Sequence, residues 1–301
     1  MINTSTFGWR SVVRNLQTLL PNGLHERRLD LQQWVQRRSG RPHETEFRSL
    51  GGLLQPGAHV LDVGANRGQS IDSIRSLGIP VRITAFEPQR ELARRLTGRY
   101  RGVDVRQVAL GDDHAEMKLY TPSYRGYRFD GLASTDYETA VSWFSYAIWP
   151  YRAELVTVDT EQITVLPLDS CDDVAPVDFI KIDAQGMEQA VLQGGRGVLE
   201  RDRPLLMLET PDAATVGWLV DLGYQSIDID GSSAGAWPTN TLFCHLDSAA
   251  ARSPRMTDGT VYFDSASRSQ RVFRDPSVKR NPVQRARLLV TDSLRDETSQ
   301  R

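Results

Sequence analysis

A short stretch from Asp62 to Ser70 combines the residue types that a nucleoside-binding turn needs. It reads Asp62-x-Gly64-x-Asn66-x-Gly68-x-Ser70 and joins an apolar run, predicted to be a strand, to a helical pattern. Glycine lets the backbone approach a ligand closely, and asparagine is one of the few other residues that accept a left-handed conformation. The turn also delivers free N–H groups at a helix N-terminus, beside the carboxylate of Asp62. These five residues predict a pocket for a cofactor that carries a nucleoside.

The spacing of the glycines separates two classes of cofactor. A dinucleotide turn has a third glycine where this chain has Gln69, so the pattern fits an NAD-dependent oxidoreductase poorly. The pattern resembles more closely the first motif of S-adenosylmethionine-dependent methyltransferases. The second predicted strand ends in Glu87, about 20 residues further on, where an acid accepts hydrogen bonds from ribose hydroxyls. Both cofactor classes use such an acid, so Glu87 supports a nucleoside without choosing between them. A tight turn that binds no ligand is the alternative interpretation of the glycine pattern.

A lysine inside an apolar strand marks the second informative stretch. Residues 177–183 read as a strand buried on both faces, which should be almost entirely apolar, yet Lys181 interrupts it. Lys181 and Asp183 are two residues apart and therefore share one face of the strand. A buried ammonium needs a carboxylate partner, and Asp183 follows the strand where ligands bind in open α/β sheets. We expect Asp183 to act as a general base that Lys181 orients; the alternative is an ion-pair network that only braces the sheet.

Other acids and one turn also follow predicted strands. Glu209 ends the strand after Asp183, and Glu188 begins the intervening helix. Either glutamate could bind sugar hydroxyls, and Asp183 with Glu209 could hold Mg²⁺, which prefers hard oxygen ligands. The turn at Leu110 and Asp112 follows the third strand and could flank an adenine, with Asp112 accepting a hydrogen bond from its amine. A turn without a ligand explains the last pattern equally well.

Alternating strands and helices must position these residues. Strand–helix units recur over residues 51–248, which predicts right-handed crossovers and a mostly parallel sheet in an α/β fold. An insertion at about 120–160 interrupts them and holds ten of the chain's 24 aromatic residues (9 Phe, 9 Tyr and 6 Trp). We interpret the insertion as a substrate lid; the alternative is a segment that needs rings for a small core of its own. The candidate substrate contacts are Tyr124, Tyr127 and Trp143.

Residues 1–50 and 249–301 fall outside this alternation. The first segment carries two amphipathic helical patterns with arginine-rich polar faces. These patterns predict a helical cap on the sheet or, as the alternative, a basic surface for a phosphate-bearing or membrane-bound glycolipid, with peripheral membrane contact. The last segment is rich in Ser, Arg and Asp with weak periodicity, which predicts a flexible tail.

Bulk properties exclude several classes of protein. The 301-residue chain has a formal net charge of −2 and a pI near 6.2, so no basic field recruits nucleic acid. Its two cysteines, Cys171 and Cys244, are far apart and indicate neither a disulfide framework nor a zinc site. The sequence shows no signal-peptide pattern and no apolar run of membrane-spanning length. We therefore expect a cytoplasmic protein without a transmembrane segment, acting on a small molecule.

Several motifs occur in an order that resembles the FkbM-type methyltransferases over about residues 45–247. The four most specific are Asp62–Ser70, Phe86-Glu87-Pro88, Val108-Ala109-Leu110-Gly111-Asp112 and Phe179-Ile180-Lys181-Ile182-Asp183-x-x-Gly186-x-Glu188. Leu168-Asp169-Ser170 and Glu209 accompany them.

This resemblance implies a Rossmann-like class I methyltransferase fold with a seven-stranded, mostly parallel sheet. It also implies transfer of a methyl group from S-adenosylmethionine to a hydroxyl of a sugar, polyketide or glycolipid. One position departs from the family pattern, because Gln185 stands where the family usually has a glutamate. A catalytically weak protein that binds S-adenosylmethionine or another nucleoside is therefore the alternative function.

Overall fold

The computed structural model describes most of the chain between residues 22 and 248 and two short strands beyond. The described residues are 22–40, 42–43, 46–148, 150–227, 240–248, 261–264 and 269–272. The chain divides into two compact units, Met1–Leu208 and Glu209–Arg301. The predicted domain boundaries after residues 50 and 248 stay a prediction.

Strands and helices alternate through the first unit, as the sequence pattern predicts. Its helices are α1 (Asn22–Ser39), α2 (Phe47–Leu50), α3 (Gln69–Ser76), α4 (Arg90–Arg99), α5 (Tyr137–Ala147), α6 (Glu188–Gly194) and α7 (Arg196–Asp202). Its strands are β1 (His59–Val63), β2 (Arg82–Phe86), β3 (Val103–Arg106), β4 (Ala109–Leu110), β5 (Ala115–Tyr124), β6 (Tyr127–Arg128), β7 (Val156–Leu166), β8 (Phe179–Ile182) and β9 (Leu205–Glu209). The last residue of β9 begins the second unit.

Parallel strands form the central sheet of the first unit in the order β9-β8-β1-β2-β3. Every residue of β1 and β8 is buried, which explains their almost continuous apolar sequence. Asp62 pairs in register with Lys181 on one side and with Ala85 on the other. Because parallel strands bring their carboxyl ends to one edge, the residues that follow β1, β2 and β8 meet there. The predicted α/β fold is confirmed, and the seven-stranded class I arrangement stays a prediction.

The insertion forms a second sheet of its own. β5 and β7 pair antiparallel from Ala115↔Val165 to Tyr124↔Val156, with β4 and β6 at the edges. Helix α5 packs on this sheet, and the buried side chains of Tyr124, Phe144 and Ile148 form a core between them. The aromatic enrichment of the sequence therefore serves a small core, which is the alternative that the sequence left open.

Helix α1 contacts the rest of the first unit through a polar face. The buried Gln33 donates its amide to the carbonyl of Arg67 (2.9 Å) and to the carboxylate of Asp72 (3.0 Å). The carboxylate of Glu26 forms an ion pair with the guanidinium of Arg67 (2.8 Å). Four apolar side chains of α1 are exposed instead: Leu24, Leu31, Trp34 and Val35. Helix α1 therefore turns a polar face to the first unit; the predicted helical cap of residues 1–50 stays a prediction, and residues 1–21 lie outside the described part.

The second unit holds one helix and two antiparallel strand pairs among its described residues. Helix α8 (Ala213–Asp221) precedes the pair β10 (Tyr224–Ile227) and β11 (Asn240–His245). Strands β12 (Val261–Asp264) and β13 (Ser269–Val272) pair within the segment that the sequence predicts as a flexible tail. The remaining residues of 249–301 lie outside the described part. None of the helices described in either unit has both the length and the apolar character to cross a membrane.

Replacing Phe144 by alanine tests how far the insertion depends on its aromatic core. The ring is fully buried, with its centroid 5.8 Å from that of Tyr124 and 5.0 Å from that of Phe129. Its loss should lower the free energy of unfolding by about 3–5 kcal/mol. Tyr137→Ala, on the same helix but with the side chain 47% exposed, should cost about 1 kcal/mol or less. Urea unfolding followed by circular dichroism measures both, and equal losses would contradict the assignment of this core.

Candidate functional site

A cavity opens at the carboxyl edge of the parallel sheet in the first unit. The loops after β1, β2 and β8 supply one part of its wall, including Gly64, Glu87 and Asp183. The insertion supplies another part, including Asp130 and Ser134. The second sheet therefore helps to enclose the edge where the predicted site residues meet.

Two glycines of the nucleoside turn are required by protein packing. Gly64 has φ +78°, and a Cβ at this position would collide with the carbonyl oxygen of Asp183. Gly68 has φ +85°, and a Cβ there would collide with the ring of Tyr100. Gly64 lines the cavity, as does Asn66, whose φ of 48° is left-handed. Gly68 does not line it, so close approach to Tyr100 explains that glycine better than ligand contact.

Asp62 and Ser70 lie beneath the turn rather than in the cavity wall. Asp62 is fully buried, and its Oδ2 accepts a hydrogen bond from the Ser70 hydroxyl. Its Oδ1 has no hydrogen-bond partner among the described residues. Burial raises the pKa of Asp62, and the positive charge of Lys181 opposes that shift. The contacts of this pair brace β1 against α3, and a direct role in cofactor binding stays a prediction.

Glu87 presents a buried carboxylate to the cavity. It accepts hydrogen bonds from the backbone N–H groups of Asn66 (2.7 Å) and Gln89 (2.9 Å). Burial raises its pKa to about 7, and the nearby charges of Asp130 and Asp62 act in the same direction. Each carboxylate oxygen keeps lone-pair capacity beyond the one N–H that it accepts. Glu87 is therefore a fixed acceptor that hydroxyl groups can reach.

The turn after β3 contributes one of its two predicted contacts to the cavity. Leu110 is buried and lines the wall together with Val108 and Ala109. Asp112 is exposed and is not part of the wall. Apolar surface is thus present in this part of the wall, and contact of Leu110 with an adenine stays a prediction. The predicted hydrogen bond from adenine to Asp112 has no support from the cavity lining.

Lys181 and Asp183 form the ion pair that the strand pattern predicts. The Lys181 side chain is 6% exposed, and its Nζ donates to Asp183 Oδ2 over 3.0 Å. The Asp183 side chain is 27% exposed and lines the cavity. Gln185 donates its amide to Asp183 Oδ1 over 2.8 Å. A glutamate in place of Gln185 would set two carboxylates side by side, whereas the amide donates a hydrogen bond there.

Glu188, another of the predicted acids, is not part of the cavity wall. Glu188 accepts hydrogen bonds from the backbone N–H groups of Ala184 (3.0 Å) and Gly186 (3.0 and 3.1 Å). It therefore closes its own loop, and its role as a substrate contact stays a prediction. Glu209 begins the second unit. Within the described ranges, no group of three or more His, Cys, Asp or Glu residues is placed to hold a metal ion, so the predicted Mg²⁺ has no support.

The aromatic residues predicted to contact substrate are used for packing. Tyr124 is fully buried, and its hydroxyl accepts a hydrogen bond from the Arg152 N–H (3.2 Å). Trp143 packs against the core that contains Tyr124. Tyr127 packs on the ring of His25, with centroids 4.1 Å apart. None of the three lines the cavity, so direct ring contact with an acceptor has no support from its lining.

A further acid of the cavity, Asp130, was not predicted from the sequence. Its buried carboxylate is paired with the guanidinium groups of Arg67 (2.5 Å) and Arg128 (2.7 Å). Its carbonyl accepts a hydrogen bond from the buried Gln89 amide (3.3 Å). Arg67 also pairs with Glu26 of α1. These contacts join the nucleoside turn, the insertion and α1. The one sequence feature that could have indicated them is the positive charge of Arg67 inside the turn.

Several solved structures of methyltransferases are similar to this chain. A methyltransferase FkbM from Methylobacillus flagellatus KT is 20% identical over 65% of this chain and 47% of its own, with a TM-score of 0.41. A precorrin-6y C5,15-methyltransferase from Geobacter metallireducens GS-15 is 14% identical over 67% and 87% of the two chains (TM-score 0.32). A SAM-dependent methyltransferase from Aquifex aeolicus is 14% identical over 69% and 91% (TM-score 0.33).

The matched region spans about half the length of the FkbM structure. A search of curated protein sequences finds no significant match. The family model described as the methyltransferase FkbM domain matches residues 62–226, which is more than half of the chain and includes β1, β2 and β8 or their carboxyl ends. This protein therefore belongs to the FkbM methyltransferase family.

Proposed function

We propose that this protein is an S-adenosylmethionine-dependent O-methyltransferase that acts on a hydroxyl of a sugar, glycolipid or other secondary metabolite. Membership of the FkbM family supports methyl transfer. The observation that carries the proposal is the presence of two carboxylates, Glu87 and Asp183, in the wall of one cavity at the strand ends. Glu87 is suited to the ribose of the cofactor, and Asp183 to the hydroxyl of the acceptor.

The residues of the cavity fit an adenosine moiety. Two backbone N–H groups fix the Glu87 carboxylate, and its remaining lone pairs suit two neighbouring hydroxyl groups. Leu110 and Val108 provide apolar contact for a flat base. Gln69 stands where a dinucleotide turn needs glycine, which favours S-adenosylmethionine over NAD.

When bound, S-adenosylmethionine would supply an electrophilic methyl group, carried on its positively charged sulfur. A hydroxyl acceptor must lose its proton, and Asp183 in the cavity wall is the proposed acceptor of that proton. Lys181 and Gln185 each donate to one oxygen of Asp183 and thereby fix the direction of its carboxylate. Holding the two reactants in line supplies most of the rate enhancement in this proposal.

Polar groups of the insertion support an acceptor rich in hydroxyls. Asp130, Ser134 and Thr135 all belong to the cavity wall. Ser134 donates its hydroxyl to the carbonyl of Gln185 (3.3 Å), which connects the insertion to the loop after β8.

Cys171 and Cys244 are free thiols, which supports a reducing compartment such as the cytoplasm as the place of action.

Asp183→Asn tests the proposed base. The change keeps the shape of the side chain but removes its capacity to accept a proton, so kcat should fall about 10²–10⁴-fold. Transfer is measured with labelled S-adenosylmethionine and fractionated glycolipids and polysaccharides, alongside calorimetric binding of S-adenosylhomocysteine, which should change little.

Glu188→Gln is the matched control, because Glu188 begins α6 directly after the loop that carries Asp183 and lies outside the cavity wall. It should keep near wild-type transfer. Wild-type rates in a correctly folded Asp183→Asn protein would exclude the base role, and binding of NAD in preference to adenosylhomocysteine would overturn the proposed cofactor.

The pKa of Glu87 predicts a pH dependence of nucleoside binding. The ionised carboxylate accepts from ribose hydroxyls, and its pKa is raised to about 7, so binding should strengthen as pH rises through neutrality. Between pH 6 and pH 8 the ionised fraction, and with it the affinity, should increase about tenfold. Calorimetry with 5′-methylthioadenosine measures this, because that probe lacks the titratable amino-acid end of the cofactor.

Glu87→Gln should bind the same probe weakly at all these pH values. Asp183→Asn should keep the wild-type pH profile, since the probe does not need the base. A pH dependence that survives in Glu87→Gln would assign the titration to another group.

A further inference from the structure

We infer that the outward face of α1 binds the surface of an anionic lipid bilayer. At about 100° per residue, seven side chains of this helix fall within an arc of about 120°. Four are apolar and three are arginines, and the arc contains no acid. In order around the helix they are Trp34, Arg27, Arg38, Leu31, Leu24, Val35 and Arg28.

The apolar members of this arc are exposed to a degree that needs an explanation. Their exposed fractions are 52% for Leu24, 60% for Leu31, 46% for Trp34 and 53% for Val35. Single exposed apolar residues are ordinary on a protein surface, but a contiguous patch along one helix marks an interaction site. Burial of such a face at the headgroup boundary is the usual binding mode of an amphipathic helix with tryptophan and leucine on one side.

The charges of α1 are sorted between its two faces. Glu26 pairs inward with Arg67 (2.8 Å) and Arg95 (2.6 Å) of the first unit, and the exposed Asp30, outside the arc, pairs with Arg99 (3.6 Å). The outward arginines Arg27, Arg28 and Arg38 make no ion pair with any carboxylate of the described residues. The outward face therefore combines apolar surface with uncompensated positive charge, which suits anionic lipid headgroups.

An open groove beside this arc adds a place for a headgroup phosphate. Leu31, Val35 and Pro42 give it an apolar lining, and Arg28 and Arg48 supply two guanidinium groups. The Nε of Arg28 is buried without a hydrogen-bond partner among the residues described. Arginine recognises phosphate oxygens through several N–H groups at once, so the guanidinium groups of Arg28 and Arg48 at this groove suit a headgroup phosphate.

The composition of the face favours a bilayer over the other occupants. A second copy docked through the same patch would place arginines against arginines, with no acid on the arc to compensate them. A nucleic acid would use the arginines but would gain little from four aliphatic and indole side chains in place of further cations. A bilayer with anionic lipid uses both kinds of residue, and the inference does not depend on the reaction proposed above.

Vesicle flotation of the full chain, without any cofactor, tests this inference. The chain should float with vesicles of equimolar phosphatidylcholine and phosphatidylglycerol and bind phosphatidylcholine vesicles far more weakly. Arg27→Gln with Arg38→Gln should weaken the anionic-vesicle binding about fivefold for each arginine removed, since each contributes about 1 kcal/mol near such a surface. Leu31→Ser with Trp34→Ser should weaken binding to the same vesicles by at least tenfold.

Matched variants elsewhere separate this face from general surface properties. Leu246→Ser removes an apolar side chain of similar exposure (45%), and Arg94→Gln with Arg101→Gln removes two exposed arginines. All three substitutions should leave vesicle binding unchanged. Failure of the full chain to float, or equal losses in the control and α1 variants, would refute the inference.

Two further outcomes would assign the face to another occupant and equally overturn the lipid proposal. Sedimentation velocity that shows a dimer, dissociated by the α1 variants, would make the face an interface between two copies. Vesicle binding that is gained only when residues 1–21 are removed would assign the face to that segment of the chain.

Discussion

The parallel pairing of β1 with β8 determines how the nucleoside turn and the proposed base lie relative to each other. The N–H of Asp183 donates to the carbonyl of Val63 over 3.0 Å, and Gly64 lies directly against the Asp183 carbonyl. The same pairing sets Asp62 opposite Lys181. A shift of one residue in this pairing would turn both Lys181 and Asp183 to the other face of the sheet, away from Asp62. The cofactor turn and the ion pair are therefore parts of one hydrogen-bonded unit, and neither can move without the other.

The buried carboxylates at this edge of the sheet are each stabilised by a different kind of hydrogen-bond donor. Backbone N–H groups hold Glu87, an ammonium holds Asp183, and two guanidinium groups hold Asp130. Asp62 has the Ser70 hydroxyl on one oxygen and, among the described residues, no hydrogen-bond donor on the other. Buried charges of this kind contribute little net stability, because desolvation offsets their attraction. Their concentration around one cavity is better explained by binding and chemistry than by support of the fold.

The sequence could predict the parts of the site that follow from strand geometry. Lys181 and Asp183 share a face because they are two residues apart, and Glu87 lies at the cavity because parallel strands end at one edge. The role of the insertion was not predictable, since a small core and a substrate lid both enrich a segment in aromatic residues. Asp130 was missed because its burial depends on Arg67, 63 residues earlier. The burial of the polar face of α1 was not predictable from its amphipathic pattern, because that face is selected by polar partners such as Asp72 rather than by hydrophobicity.

Arg67 explains why α1 keeps its polar face inward. Its guanidinium side chain is 13% exposed and is shared between Glu26 of α1 and Asp130 of the insertion. If α1 moved away, Arg67 would lose one carboxylate and Gln33 would lose its contacts with Asp72 and the Arg67 carbonyl. Removing one partner from a largely buried ion pair typically costs about 3–5 kcal/mol. The helix can therefore meet a surface with its apolar and arginine-bearing side while its other side stays docked, so binding there requires no disruption of the cavity wall.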